Sequence, residues 1–531
     1  MSGLLRSNLV VAAGTALSRV TGLLRVFVFA YVIGQTLVAD AYKLANETPN
    51  IVYDLLLGGV LSATLVPLFT SFMGGDEDER DDHATNVVIT VATTLMVALT
   101  IVAVVLAPLI FRLYSLNVAD DVDADLFRQV GTTLTRIFLI QILFYGLTGI
   151  ANAYLNSRRR FFAAAWSPIL PNLIIIVTLL SLPNAGDATW QLSDVVDDTR
   201  LRLTLGLGAT AGIAAMALAV LPAMVGAGLR FRPAWEWRHP AVRKLLVLSG
   251  WTIGFVAANQ VALLVIRNLA LGEGEGIASA YFDAFTWFVL PHGLLAVSIA
   301  TTFQPEMARA VTRKDRADFV HHASLGTRMI ALLTLPAAAG MFVLREPIIG
   351  LMQRGQFDAL DAFNTSRALA GLSVGLVGFS VYLFVLRGFY AHQDTRTPFV
   401  LNVGENLLNV LFAFALVGWL DVLGLGLAYA FAYLLSSVWA LTVLRSKVRG
   451  FSLRPIVASV WRMLLAAVLM AEAIWLVTHD VSADTGWHAV AQILVGGSVG
   501  IVVYLAVLLA LDTTEIDSLR RRLPGPARSG G

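Results

Sequence analysis

The stretch ADAYKLANETPNIVYDLLLGGVLSATLVPLF, residues 39–69, sets Asp40, Lys43, Glu47, Asn50 and Asp54 at steps of three, four, three and four in otherwise apolar surroundings. That spacing lines the five along one face of an α-helix. Alone it would describe a helix lying on a soluble protein, but the rest of the chain excludes this. Of 531 residues, 57% are hydrophobic and 14% charged, and the mean hydropathy is +0.74. Soluble domains carry about 25% charged and 45–50% apolar residues. Apolar runs of roughly 18 or more residues recur along the whole length, the signature of repeated membrane spans. The expected fold class is therefore an all-α integral membrane protein, with a polar stripe on its second span that must look into water or protein. Disordered, collagen-like and disulfide-stapled proteins are excluded. The lack of cysteine removes structural disulfides, thiolate metal sites and cysteine nucleophiles together.

Working outward from residues 39–69, hydropathy predicts fourteen helices, about 9–33, 39–69, 86–111, 129–155, 161–183, 202–229, 241–271, 277–308, 321–344, 362–391, 397–418, 422–445, 456–478 and 487–512. The first holds Arg19 and Arg25 and lacks a small-residue cleavage site, so it is expected to be retained as a span. With both termini inside, the loops on that side carry 23 Lys and Arg against 6 on the other, alternating in register with the spans. This predicts a multi-pass protein with cytoplasmic termini. The acidic run 75–82 falls on the inner side, where a solvated loop is a better reading than a metal site because the ligands are unspaced. Residues 513–531 turn to Arg, Pro and Gly and are expected to be a disordered cytoplasmic tail.

A faint repeat runs at a spacing of six spans. Tyr154 and Arg160 are echoed by Tyr390, Arg396 and Phe399, and Ser62, Thr64 and Pro67 by Ala300, Thr302 and Pro305. Six spans per half give both halves the same orientation, a parallel repeat about the membrane normal. The expected division is an N-terminal lobe over 1–230, a C-terminal lobe over 231–448, and an appendage of two spans over 449–512.

Charges inside spans mark function. An arginine at the centre of a span costs about 2.5–3.5 kcal/mol on insertion scales and usually faces a protein interior or a wet cavity. Arg19 and Arg25 lie about 120° apart on the first helix, so a broad side of it must be wet. Arg25, near the outer end, could snorkel to the interface, whereas Arg19 is too deep. Pairing within the first two spans could neutralise the set without a ligand, but burying so many charges only to pair them is rarely favourable, and a polar cavity lining is the preferred reading. The second half adds Asn259, Gln260 and Arg267, then Asp283 and His292, Arg387, and Asn402, Glu405, Asn406 and Asn409. His292, beside Pro291, reads as a helix-kink residue before a proton carrier. Residues 371–375 and 496–500 fit the pattern of a nucleophile elbow, but both lie inside apolar helices and read as small-residue packing. A phosphate-binding P-loop and a paired-histidine zinc helix are both missing from the sequence. Energy is therefore expected from gradients, membrane potential or the ligand, with no cofactor, no nucleic acid and no enzymatic step.

Ser18-Arg19-Val20 with Gly22 and Arg25, then Ala39-Asp40-Ala41, Pro49-Asn50 and Val66-Pro67, resembles the start of the MurJ (MviN) family, the lipid II flippases of bacterial peptidoglycan synthesis. Residues 161–172 with Pro168, Pro291-His292-Gly293, Arg354-Gly355-Gln356-Phe357 and the run 389–398, FYAHQDTRTP, extend the likeness over about residues 5–445. The resemblance implies a fourteen-helix fold of the MOP exporter superfamily in the bacterial cytoplasmic membrane. It implies two six-helix lobes that rock around a cationic cavity, a groove on spans 13 and 14 for the polyprenyl tail, and a part in cell-wall biogenesis and cell shape. By position, Ser18, Arg19, Arg25 and Asp40 match family residues tied to function and are the expected contacts for the diphosphate and headgroup. Lys43, Glu47, Asn50, Asp54, Asn259, Gln260 and Arg267 are expected to line the cavity. The chain departs from the family pattern at Tyr53 and Thr286, where many members carry arginine, and at Gly58, often an acid; Lys43 or Arg267 would substitute. The implied partners are lipid II, a polyprenyl-diphosphate-linked muropeptide, with membrane lipids and cell-wall synthesis or regulatory proteins. The other readings are a flippase for a different polyprenyl-diphosphate glycan, a cation-coupled drug exporter of the same superfamily, or a non-transporting scaffold for cell-wall enzymes. Chemistry agrees with the first, since a diphosphate calls for guanidinium partners in bidentate geometry.

Overall fold

The computed structural model describes residues 2–55, 65–72, 82–480, 484–512 and 515, without the side chains of 2–9, 12, 52–55, 66, 67, 241 and 244–256. Every regular element among them is helical. The chain divides into two compact units, one of Met1–Ser279 with Arg354–Phe357, the other of Ala280–Gln353 with Asp358–Gly531.

The first unit holds α1 (Ser2–Ile33), α2 (Leu37–Leu55), α3 (Val66–Ser71), α4 (Asp82–Tyr114), α5 (Ala124–Phe138), α6 (Gln141–Ser157), α7 (Phe162–Trp166), α8 (Ile169–Leu180), α9 (Leu192–Asp197), α10 (Thr199–Gly226) and α11 (Pro240–Gly272). Here α1 packs on α8, α8 and α6 on α10, α2 on α5, and α11 on α4 and α2. The second unit follows with α12 (Ile277–Pro291), whose first turn belongs to the first unit, then α13 (Val297–Thr312), α14 (Arg316–Val343), α15 (Arg345–Gly350), α16 (Ala359–Val374), α17 (Leu376–Ala391), α18 (Arg396–Lys447), α19 (Arg454–Thr478) and α20 (Gly486–Ala510). One turn of π-helix, His292–Ala296, joins α12 to α13 immediately after Pro291. The kink expected at His292 is thus a π-bulge, a common device at functional positions.

Among the described residues, ten helices are long and apolar enough to cross a membrane, or eleven if α16 and α17, bent by 48°, count as one span. Of the remaining predicted spans, 39–69 is described only in part, as α2 and α3. The 52-residue α18 is two limbs joined at Asp421, whose φ of 49° and ψ of −133° break the helix between the predicted runs 397–418 and 422–445. The polar stripe lowers the hydropathy of α2, and the side chains of α11 are described continuously only from residue 257, where Ala257–Gly272 is apolar. The acidic run 75–82, apart from Asp82, and nearly all of the tail lie outside the described residues.

Small residues set the helix spacing. In the second unit a Cβ on Gly371 would stand 2.7 Å from Leu423 O, one on Gly375 2.5 Å from Ala430 Cα, and one on Gly500 2.7 Å from Ile474 Cδ1. The two elbow-like motifs are therefore contact points between helices, as small residues in membrane helices are. The α6 and α17 ends that carry the echoed Tyr154 and Tyr390 also close alike. In each a residue with φ near +60°, Arg159 or Gln393, ends the helix, and the next amide bonds back to Leu155 O or Phe389 O.

Candidate functional site

The site is built on α1, α2 and the end of α11, all in the first unit. Helix α1 is fixed from one side by α7 and α8. Trp166 Nε1 donates to Val10 O at 3.1 Å, and Gly14 admits the indole, since a Cβ there would stand 2.7 Å from the ring. One turn further on, the buried Asn172 amide donates to Ser18 O at 3.2 Å, Thr21 Oγ1 at 3.2 Å and Pro168 O at 3.3 Å. Ser18 thus serves through its backbone carbonyl, and the turn that carries Arg19 is clamped.

Arg19 lies 17 residues from the start of α1 and 14 from its end, some 25 and 21 Å at 1.5 Å rise per residue. Arg19 and Arg25 are both half-buried. Arg25 is within electrostatic reach of the Tyr42 hydroxyl. Among the described residues neither guanidinium makes a hydrogen bond or an ion pair. Two permanent cations at membrane depth without a carboxylate require water or an anion.

The stripe on α2 has different surroundings at each position. Asp40 is fully buried, its Oδ2 taking the Gly276 amide at 2.9 Å and its Oδ1 the Ser279 amide at 2.8 Å. These are N–H groups of the opening turn of α12, which an acceptor must satisfy when buried. Asp40 therefore caps a helix that begins 237 residues later in the chain (277 − 40). Lys43, half-buried, donates to Ser279 O at 3.4 Å and lies 5.1 Å from the centroid of Phe29. Glu47, 20% exposed, receives Arg267 Nε at 3.1 Å and a second guanidinium nitrogen at 3.0 Å, while Arg267 is 4% exposed. This fork is the planar bidentate geometry that guanidinium favours. Asn50 accepts from the Tyr145 hydroxyl at 2.7 Å, and Asn46 from Gln141 Nε2 at 3.3 Å. The Asp54 and Tyr53 side chains and Gly58 lie outside the described residues.

The structure thus brings Asp40, Lys43, Glu47 and Arg267 onto one polar seam between α2, α11 and the start of α12. Asn259 and Gln260 are half-buried on α11, each about two turns before Arg267. Thr286, at the other departure from the family pattern, donates to Phe282 O of its own helix at 3.2 Å. Sequence reasoning missed Asn268. Its Oδ1 takes the Leu116 and Asn117 amides at 2.7 and 3.1 Å, and its Nδ2 donates to Leu113 O at 2.8 Å. The motif Arg354–Phe357 gave Gln356 no task; its backbone amide donates to Tyr31 O at 3.0 Å, and its side chain donates to Gly186 O and accepts from Thr189 Oγ1. Asn268 ties α11 to the end of α4, and Gln356, in the turn before α16, ties to the end of α1 and to residues 186–189, contacts distant in sequence that composition and spacing do not disclose.

Residues 29–496 match the model of the family described as "Lipid II flippase MurJ". A probable lipid II flippase MurJ of Haemophilus influenzae is 30% identical over 489 residues, covering 88% of this chain and 91% of that protein. A Vibrio cholerae relative of the same name is 27% identical over 96% of each. A solved structure titled lipid II flippase MurJ in an inward closed conformation superposes with a TM-score of 0.76 at 22% identity, over 94% of this chain and 98% of that one. An inward-facing MATE multidrug transporter of the MOP superfamily gives 0.63 at 13% identity, a likeness of fold alone. The family match reaches past residue 445 into α20, further than the motifs legible by eye. With the family model matching most of its length, the chain belongs to the MurJ family of lipid II flippases.

Proposed function

We propose that this chain moves lipid II across the cytoplasmic membrane, and that Arg19 and Arg25 contact its diphosphate. The single observation that carries the assignment of the contact is the pair of half-buried guanidiniums deep in α1, without a hydrogen bond or ion pair among the described residues. A diphosphate supplies the two adjoining anionic groups that such a pair requires, in geometry a guanidinium fork matches. Ser18 and Asn172 position the turn, and the Glu47–Arg267 fork and Lys43 make up the wall beside it. Asp40 supports this wall by capping α12 and does not itself meet the substrate.

In this reading the process is transport without a covalent step or cofactor. Lobes 1–230 and 231–448 expose the site alternately to either leaflet, 449–512 accommodates the polyprenyl tail, and both termini are cytoplasmic. Cell-wall synthesis and regulatory proteins reach it from the Lys/Arg-rich loops. Depleting the protein in a host with no second flippase tests the assignment. Lipid II is expected to accumulate on the inner leaflet while its synthesis continues. Undiminished arrival of the precursor at the outer face would overturn it.

A further inference from the structure

At the helix ends of the second unit that carry the Lys/Arg-rich loops, the turn between α13 and α14, the turn between α17 and α18 and the end of α18 enclose a cavity of about 310 Å³. Lys314, Arg316, His392 and Lys447 line it together with Asp315, over an apolar floor that includes Phe319. The acid and one of the cations are already engaged. Asp315 Oδ1 accepts the Asp318 amide at 3.0 Å as the cap of α14, and Lys447 Nζ is held by Asp394 Oδ2 at 2.7 Å. Arg313, beside the cavity, pairs with Asp318 at 2.7 Å. Lys314 and Arg316 are exposed and have no carboxylate partner among the described residues.

The backbone at Lys314 adds to this. Its φ is +58°, a conformation that glycine adopts at no steric penalty and that usually carries glycine where a helix closes. The Lys314 amide donates to Val311 O at 3.0 Å and the Asp315 amide to Ala310 O at 2.9 Å, so the turn is closed by backbone alone. A long cation stands where the turn needs no side chain. Across the cavity His392 is held in place, its Nδ1 donating to Gly388 O at 2.9 Å and its ring meeting Phe319 edge-on at 4.5 Å.

We infer that this cavity binds the phosphate of an anionic phospholipid, with Lys314 and Arg316 as its ligands. Basic pockets among helix ends on the cytoplasmic side suit such headgroups. The charge is complementary, and the apolar floor of Ala310, Val311, Phe319 and Val448 suits the hydrocarbon joined to a lipid phosphate, which a free phosphate ion lacks. The site is separate from the one on α1 and does not depend on the transported substrate.

The test uses the purified full-length chain in neutral detergent, titrated with short-chain phosphatidylglycerol, phosphatidylcholine of the same chain length, and inorganic phosphate. Phosphatidylglycerol is expected to bind at least tenfold more tightly than phosphatidylcholine, with inorganic phosphate competing only weakly. Lys314→Gly with Arg316→Ala is expected to weaken phosphatidylglycerol at least tenfold. The lipid-free melting temperature should hold, because glycine suits the turn and both side chains are exposed. Equal binding of the two lipids, or unchanged affinity in the double variant, would overturn the site. Inorganic phosphate displacing the lipid at equal concentration would replace the phospholipid by a soluble phosphate.

Discussion

An arginine in the middle of a membrane helix persists where a carboxylate, water or an anion meets it, and the two kinds of arginine in the first unit divide on this point. Arg267 has a carboxylate and, among the described residues, Arg19 and Arg25 do not. Removing one partner of a buried pair leaves the other charge stranded, at about 3–5 kcal/mol when burial is complete. Glu47→Gln is therefore expected to lower the melting temperature in detergent markedly, somewhat less than that scale because Glu47 keeps 20% of its surface. Glu47→Leu with Arg267→Met should recover most of the loss. An unchanged melting temperature in Glu47→Gln would show that the fork contributes nothing. Asp394, in the loop before α18, offers a pH test. Burial alone would raise its pKa, but the Lys447 ammonium and the Thr397 hydroxyl and amide bring it down from 3.8 to about 2. A depressed carboxyl contributes stability that is present above 3.8 and lost as pH falls toward about 2. The melting difference between the parent and Asp394→Asn should hold from neutral pH down to about pH 5 and narrow below about pH 4. A gap that widens on acidification would contradict this. The sequence displayed all these charges but not their partners, since Glu47 and Arg267 are 220 residues apart.

At the scale of elements, hydropathy located the helices because each must present an apolar surface to lipid, and it failed where another rule governs. It separated 397–418 from 422–445 at Asp421, where the backbone indeed leaves the helix. It could not assign a task to Asp40, because a helix cap contributed by a distant helix leaves no local pattern. The cap makes a definite prediction. Asp40→Ala strands the two amides of the α12 start, at about 1–3 kcal/mol for each buried group, so the variant should fall in abundance and melting temperature. Asp40→Asn, retaining one acceptor, should be intermediate. A stable, abundant Asp40→Ala protein that no longer transports would instead place Asp40 on the substrate. Gly276 guards the same junction: at φ +77°, a Cβ would stand 2.3 Å from Gln35 O. Gly276→Ala should destabilise the protein as Asp40→Ala does, read by the same melting curves.

For the whole molecule, composition alone selected the bilayer as solvent. Large side chains left bare, such as Val105 at 72% and Trp487 at 84% exposure, fit helices that face lipid and its interface. The family motifs narrowed the transported ligand, and Arg19 and Arg25 are the contacts proposed for it. Each guanidinium lost from a diphosphate removes charge-assisted hydrogen bonds worth about 1.5–3 kcal/mol, or roughly tenfold to hundredfold in transport. The decisive measurement is the rate at which lipid II reaches the outer leaflet in cells that rely on this chain alone, compared at matched abundance for the parent, Arg19→Ala, Arg25→Ala and the two lysine variants. The alanine variants should lose transport by that factor, and lysine should restore it only in part because it cannot form the fork. Parental rates in both alanine variants would contradict the account.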